Sequence, residues 1–80
     1  MSFLEVIEIK GIDKKGILIK ILKVISDGYG VNINKMSLEA DAGIFVGRFH
    51  IFVHDTEEIN SLCNNVIKIK EINSVQRIQE

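Results

Sequence analysis

The sequence predicts an α+β fold in which two helices pack on one face of a four-stranded antiparallel sheet. Four segments have the alternating apolar pattern of strands, and two have the apolar spacing of amphipathic helices. Their order along the 80 residues is strand, helix, strand, strand, helix, strand. This order favours a layer of helices over a single sheet.

The first strand and the first helix come from the opening third of the chain. Phe3–Lys10 is rich in β-branched and apolar residues, as in a strand covered on one face. After Gly16 the apolar residues recur at helical spacing: Ile17, Leu18, Ile21, Leu22 and Ile25. Gly28 and Gly30 follow, and a glycine just past the last turn commonly ends a helix because it readily adopts a left-handed conformation. We therefore expect a helix from Gly16 to about Gly28.

The second and third strands form a predicted hairpin. In "VNINKMSLEAD", Ile33 falls on the opposite parity from Met36 and Leu38, which indicates a bulge or a late strand start. "ADAG", residues 40–43, supplies the turn. The third strand is "IFVGRFHIFVH", and its alternation predicts a buried face made of Phe45, Gly47, Phe49, Ile51 and Val53.

The second helix and the last strand complete the fold. Asp55 with Glu58 three residues later resembles a capping box at a helix start. The apolar stripe of this helix is predicted to contain Ile59, Leu62, Cys63, Val66 and Ile69. "NSVQRIQ" reads as a short last strand. Right-handed crossovers then place the first and third strands at the centre of a ferredoxin-like βαββαβ sheet.

The composition limits the function classes. Ten basic and eleven acidic residues leave a net charge of −1, so no overall field attracts nucleic acid or acidic lipid. The chain has no apolar run of membrane-spanning length and a single cysteine, Cys63, so we expect no membrane partner and a cytoplasmic location. His50 and His54 lie four residues apart on one strand, far from Cys63 on a helix, so no metal site, cofactor or catalytic group is predicted.

The loop "GIDKKG" carries the best candidate for a ligand site. Gly16 at the start of a helix exposes backbone N–H groups that can bind a carboxylate, and Asp13 can pair with an ammonium group. Together they suit a free amino acid. The alternative is that Asp13 caps the helix while Gly11 and Gly16 only permit the turn. Asn32, which opens the second strand, is expected close to this loop.

The sheet face away from the helices is a candidate interface. Leu4, Val6 and Phe52 fall on that face, and an uncovered apolar patch commonly contacts a partner, although a half-apolar face is also normal in a small domain. The residues of the third strand on this face are Val46, Arg48, His50 and Phe52. Arg48, His50 and Phe52, with Lys10 and Lys35, would be the contacts in an RNA-binding alternative, but their spacing does not fit the RNA-binding sheet pattern.

The residues then point to a known family. "GIDKKGIL...I..VIS...VNI" resembles the ACT domain signature, and "VNINKMSLEADAGIFVGRFHIFVHDTEEINSL" is similar to the carboxy-terminal ACT domain of the RelA/SpoT family of (p)ppGpp synthetases and hydrolases. The resemblance extends from about Val6 to Arg77. The chain departs from the pattern at Val46, where an acidic residue is expected, and at Glu71, where a glycine is usual.

The resemblance implies a function without catalysis. Residues 1–80 would be a single regulatory ACT domain at the carboxy terminus of a longer GTP pyrophosphokinase, whose catalytic half acts in the stringent response. It implies a homodimer and a site for a free amino acid, a branched-chain one in some members, at Asp13, Gly16, Ile17 and Asn32. Two alternatives stay open: docking on ribosomal RNA through the open sheet face, and a purely structural dimer module without a ligand.

Overall fold

The computed structural model describes residues 1–79 and confirms the predicted ferredoxin-like fold. The strands are β1 (Phe3–Ile12), β2 (Asn32–Asp41), β3 (Ile44–Val53) and β4 (Ile72–Ile78). The helices are α1 (Ile17–Leu22), which continues directly into a π-helical segment (Lys23–Gly28), and α2 (Thr56–Val66). The strand order is β2-β3-β1-β4 with antiparallel neighbours, so β1 and β3 are central, as predicted.

The core lies between the sheet and the helices, and β3 supplies its centre. Phe45, Phe49, Ile51 and Val53 are fully buried, which confirms the predicted face of this strand. They pack with β1 and with both helices, whose buried residues include Ile7, Ile9, Ile17, Ile21, Ile25, Ile59, Leu62 and Val66. Each such side chain contributes roughly 1.5–3 kcal/mol through burial, so this cluster is the main source of stability.

The predicted irregularity in β2 is a bulge. The register against β3 shifts between Ile33 and Lys35, after which Met36 pairs with Phe49 and Leu38 with Gly47. Met36 and Leu38 therefore point to the helix face of the sheet. They nevertheless stay 45% and 42% exposed, because the helices leave this edge strand uncovered.

A tight turn joins β2 to β3, as expected for residues 40–43. Ala42 and Gly43 form it with φ angles of 52° and 82°, both in the left-handed region. Two successive residues with positive φ are typical of the two-residue hairpin turn whose twist matches that of the strands. The turn fixes the far end of the sheet, where Ile12 pairs with Ile44.

The first helical run ends at Gly28, as predicted, but its second half is π-helical, which the sequence did not indicate. Just beyond it, the Tyr29 hydroxyl lies 2.7 Å from Ser61 Oγ on α2. Asn65 Nδ2, also on α2, donates a hydrogen bond to the same hydroxyl. These bonds attach the end of the first helical run to the second helix.

The start of α2 confirms the predicted cap. The Asp55 side chain accepts a hydrogen bond of 2.8 Å from the Glu58 N–H, and the Glu58 carboxylate accepts one of 2.8 Å from the His54 N–H. The helix ends at Val66, earlier than predicted. Ile69 therefore lies in the following turn, where it packs half-buried against the core.

The end of β1 and the start of β4 approach each other closely at Gly11. A Cβ atom at Gly11 would lie 2.4 Å from the Glu71 carbonyl oxygen and 3.0 Å from the Phe45 ring. The neighbouring Ile12 N–H donates a hydrogen bond of 2.9 Å to that carbonyl. Only glycine fits this position, because the obstructing atom belongs to backbone that a side-chain rotation cannot move.

Glu71 also joins β4 to α1 through its side chain. Its carboxylate lies 3.2 Å from Lys20 Nζ on α1. The hydrogen bond from Lys20 lowers the pKa of the Glu71 carboxyl below its usual value, with a further contribution from a backbone hydrogen bond. The departure from glycine at this position thus supplies an ion pair.

Replacing Gly11 by alanine should destabilise the fold by about 2 kcal/mol, because β4 must move away from β1. Gly28→Ala is the matched control: a Cβ there has no heavy atom within 4 Å, and Gly28 has no positive φ. This control should be neutral or stabilising by about 0.5 kcal/mol. Urea unfolding of the two variants measures the difference, and equal stabilities would contradict the close approach at Gly11.

Replacing Lys20 by methionine should lower the free energy of unfolding at neutral pH. Because the folded-state pKa of Glu71 is depressed, its contribution is present above the unfolded-state pKa and is lost as pH falls through the folded-state pKa. The difference between wild type and Lys20→Met should therefore disappear in acid. Urea unfolding at pH 7 and pH 2 checks this, with Lys23→Met as control. A difference that persists unchanged at pH 2 would refute the role of the ion pair.

Candidate functional site

The loop between β1 and α1, residues 13–16, is held in a defined conformation by backbone hydrogen bonds. The Asp13 N–H donates to the Gly43 carbonyl of the β2–β3 turn at 2.9 Å. At its other end, the Ile17 N–H donates to Lys14 O, and Gly16 has a left-handed φ of 86°. The loop is therefore tied both to the hairpin and to the helix that follows it.

Asp13 does not cap the helix, so this part of the alternative is wrong. The N-cap residue is Gly16, and no side chain makes a capping hydrogen bond to α1. The Asp13 side chain is exposed and makes no hydrogen bond or ion pair within residues 1–79. A Cβ built on Gly16 would have no heavy atom within 4 Å. A free carboxylate thus lies three residues before an open helix start.

Ile17 was predicted to contact the ligand, but its side chain is buried in the core. Its side chain is 4% exposed within the core, and its N–H is already bonded to the Lys14 carbonyl. Ile17 therefore anchors the end of the loop to the core. Outside the core, Ile12 and Ile44 lie directly opposite each other at the ends of β1 and β3, and each is 49% exposed. By the alternation of both strands they lie on the open face of the sheet, directly before the loop, and sequence reasoning did not single them out.

Asn32 lies at the other end of the sheet, which corrects the expectation that it is close to the loop. Asn32 pairs with Phe52, and Phe52 pairs with Leu4 near the start of β1, whereas the loop follows the end of β1. The distance along β2 is about 30 Å, because Asn32–Asp41 spans ten residues. One copy of the chain does not bring Asn32 and Asp13 together.

The open face of the sheet contains the residues predicted for it. Val46, Arg48, His50 and Phe52 pair in β3 with Lys10, Glu8, Val6 and Leu4 of β1. Leu4 and Phe52 are 44% and 37% exposed, whereas Val6 is buried in the sheet between His50 and Ile78. The exposed apolar side chains of this face therefore lie at its two ends: Leu4 and Phe52 where β1 begins, and Ile12 and Ile44 where β1 ends.

The charges on the open face are balanced. Arg48 Nε donates a hydrogen bond of 3.0 Å to the Glu8 carboxylate, and Lys10 Nζ lies 3.7 Å from the same carboxylate. Further along, Lys35 and Glu39 of β2 contribute one charge of each sign. Because Arg48 already has an acidic partner, this face has no strong excess of positive charge. The arrangement does not favour the RNA-binding alternative.

A groove runs between α1 and the edge strand β2, on the helix face of the sheet. We call it the β2 groove, and its lining residues are Ile19, Leu22, Lys23, Ser26, Asp27 and Ile33. Ile19 is 61% exposed, and the exposed Met36 and Leu38 lie further along β2. Sequence reasoning missed this surface, because periodicity shows which face of a strand is apolar but not whether a helix covers it.

Residues 1–79 were also searched for a metal site, a reactive thiol and a membrane-spanning helix. No group of three or more His, Cys, Asp or Glu side chains in this range is arranged to hold a metal ion. Burial raises the pKa of the Cys63 thiol, which opposes formation of a reactive thiolate. None of the helices in the described range is long and apolar enough to cross a membrane.

Comparison with known proteins identifies the family. The ACT domain model matches residues 1–77. The crystal structure of the ACT domain from the GTP pyrophosphokinase of Chlorobium tepidum is 35% identical, covers 98% of this chain and 100% of its own, and superposes with a TM-score of 0.87. The solution NMR structure of that domain gives 34% identity, coverage of 99% and 89%, and a TM-score of 0.86.

More distant structures share the fold alone. A homoserine dehydrogenase from Thiobacillus denitrificans is 14% identical over 98% of this chain and 17% of its own, with a TM-score of 0.79. A search of curated protein sequences found no match. The family model and the Chlorobium structures confirm the resemblance to the ACT domain of RelA/SpoT-type enzymes, and this chain therefore belongs to the ACT domain family.

Proposed function

We propose that this chain is the non-catalytic regulatory domain of a RelA/SpoT-type GTP pyrophosphokinase. The observation that supports this is the similarity to the Chlorobium tepidum domain along its whole length. The synthetase and hydrolase domains would belong to a longer chain of which residues 1–80 are a single module. In that chain, the module would bias the catalytic half between making and degrading (p)ppGpp during the stringent response.

The ligand of this module is a free amino acid bound at the β1–α1 loop. Its ammonium group would face the unpaired Asp13 carboxylate, and its carboxylate would face the open helix start at Gly16. A charged hydrogen bond to an ammonium group contributes more than a neutral one. The half-exposed Ile12, which directly precedes Asp13, and its paired residue Ile44 would offer an apolar contact to a branched side chain that reaches the open face.

The module works as a homodimer. A chain of 80 residues buries a small core, and this one leaves both the β2 edge and part of the open sheet face uncovered. A dimer would allow a ligand to regulate the parent chain. A ligand shifts the equilibrium between two arrangements of the paired domains only by the difference in its affinity for them. Two paired domains have relative positions to shift, whereas one rigid domain does not.

Titration with valine, isoleucine, leucine and serine, followed by two-dimensional NMR, tests the ligand site. Saturable shifts are expected at the amides of residues 13–18, with the branched-chain amino acids binding more tightly than serine. Asp13→Asn keeps the size of the side chain and removes its charge. It should weaken binding by roughly 10- to 100-fold, as expected for loss of a charged hydrogen bond.

Gly16→Ala tests the role of the loop in ligand binding, and Gly30→Ala is its matched control. Both glycines have positive φ, and a Cβ at either has no heavy atom within 4 Å, so alanine strains both positions similarly. Only Gly16→Ala should also weaken ligand binding, because Gly30 lies beyond the other end of the helical run. Absence of saturable shifts at millimolar amino acid would refute the ligand proposal while the family assignment stands.

A further inference from the structure

Glu71 is a buried charged residue where β1 ends and β4 begins. It is 9% exposed, and no other charged or polar residue within residues 1–79 is buried to that degree. Its backbone is fixed beside the loop, because its carbonyl accepts the 2.9 Å hydrogen bond from the Ile12 N–H. Asp13, the proposed contact of the ligand ammonium group, follows Ile12 directly. Glu71 therefore borders the proposed ligand site.

The cation that balances Glu71 is Lys20 of α1. Lys20 Nζ lies 3.2 Å from one carboxylate oxygen and 3.3 Å from the other. Both distances exceed the roughly 2.7–2.9 Å that is typical of a charged hydrogen bond. The Lys20 side chain is also 55% exposed, so water competes for its ammonium group. This ion pair can therefore open at little cost.

Lys20 lies on the same helix face as Gly16. The Lys20 N–H donates a hydrogen bond of 3.1 Å to the Gly16 carbonyl, which closes the first turn of the helix. Residues four apart lie on one face, and helical side chains lean towards the helix N-terminus. The stem of Lys20 therefore leans towards Gly16, where a Cβ would have no heavy atom within 4 Å. Its ammonium group can reach a carboxylate there without a change in the backbone.

Glu71 and a bound carboxylate would compete for Lys20. The hydrogen bond from Lys20, a backbone hydrogen bond and the charges of Lys20 and Lys14 lower the pKa of the Glu71 carboxyl. Glu71 is therefore ionised at neutral pH. A second carboxylate beside it meets a like charge, and it is best stabilised when Lys20 turns away from Glu71 and towards it.

We propose that Lys20 binds the carboxylate of the free amino acid, and that Glu71 is a built-in competitor that holds Lys20 while the site is empty. This inference rests on the proposed ligand site at the β1–α1 loop and adds a residue to it. Asp13 would bind the ammonium group of the ligand and Lys20 its carboxylate. Binding would also open the side-chain link between α1 and β4.

NMR titration of variants with valine tests the two roles. Lys20→Met should raise the Kd roughly tenfold, because the ligand carboxylate loses its cation. Glu71→Gln keeps the size of the side chain and should lower the Kd by about three- to fivefold, because Lys20 is no longer held. Lys23→Met makes the same charge change as Lys20→Met further along the helical run, and it should have little effect.

A double variant separates direct binding from neutralisation of Glu71. Lys20→Met alone leaves Glu71 without its cation, and the unpaired carboxylate would itself repel the ligand. In the Glu71→Gln background this repulsion is absent, so Lys20→Met should still raise the Kd roughly tenfold if Lys20 contacts the ligand. No effect in that background would show that Lys20 only neutralises Glu71, and it would overturn the proposal.

Valinamide tests the same contact from the side of the ligand. It keeps the ammonium group and the side chain of valine but has no carboxylate. It should bind the wild-type domain roughly tenfold more weakly than valine, and Glu71→Gln should not tighten its binding. Equal Kd values for valine and valinamide would overturn the role of Lys20.

The outcomes also separate this inference from the proposed ligand site. Absence of saturable shifts in the wild type and in every variant would refute both. A wild-type domain that binds valine, with Glu71→Gln binding it no more tightly, would overturn the competition alone. Urea unfolding should show that Glu71→Gln is less stable than wild type although its affinity is higher. A general loss of structure would lower both, so it cannot produce this result.

Discussion

The close approach of β4 to β1 at Gly11 is the constraint on which the functional end of the domain depends. Because Gly11 has no side chain, the Glu71 carbonyl comes near enough to accept a hydrogen bond from Ile12. That position brings the Glu71 carboxylate to Lys20 and so attaches α1. The loop at residues 13–16 is therefore held between β1, the hairpin turn and the helix, before any ligand binds.

The second organising feature is that the sheet is wider than the layer of helices. The helices cover the central strands, where Phe45 and Phe49 are fully buried, and leave the helix face of β2 half-exposed at Met36 and Leu38. This mismatch produces both the β2 groove and a strand edge beside it. A domain of this size has little core to spare, so covering such a surface with a second copy gains stability as well as symmetry.

The sequence predicted most of the fold, because its main signals are local. The alternation of Phe45, Phe49 and Ile51 defined the buried face of β3, and the parity change after Ile33 indicated the bulge. The Lys20–Glu71 ion pair joins residues 51 positions apart, so no local pattern indicates it. The π-helical segment likewise has no distinctive signal in the sequence.

The candidate site was predicted less well, and Asn32 shows why. Its residue type and its position at a strand start suggested a place near the loop. The predicted topology excludes this, since β1 and β2 run parallel to each other on either side of β3. The loop follows the end of β1, whereas Asn32 opens β2 at the opposite end of the sheet. Site prediction therefore needed the direction of each strand, in addition to the nature of its residues.

A ligand bound at the loop of a homodimer would also explain how such a small domain can regulate a larger chain. If the proposed amino acid makes more favourable contacts at the loop in the dimer, it binds the dimer more tightly than the monomer. By linkage, the ligand then strengthens dimerisation by the same factor. The signal passed to the parent would be the association and orientation of two domains. The fold itself would need no large rearrangement, which agrees with a loop held rigidly by Gly11, Glu71 and the hairpin turn.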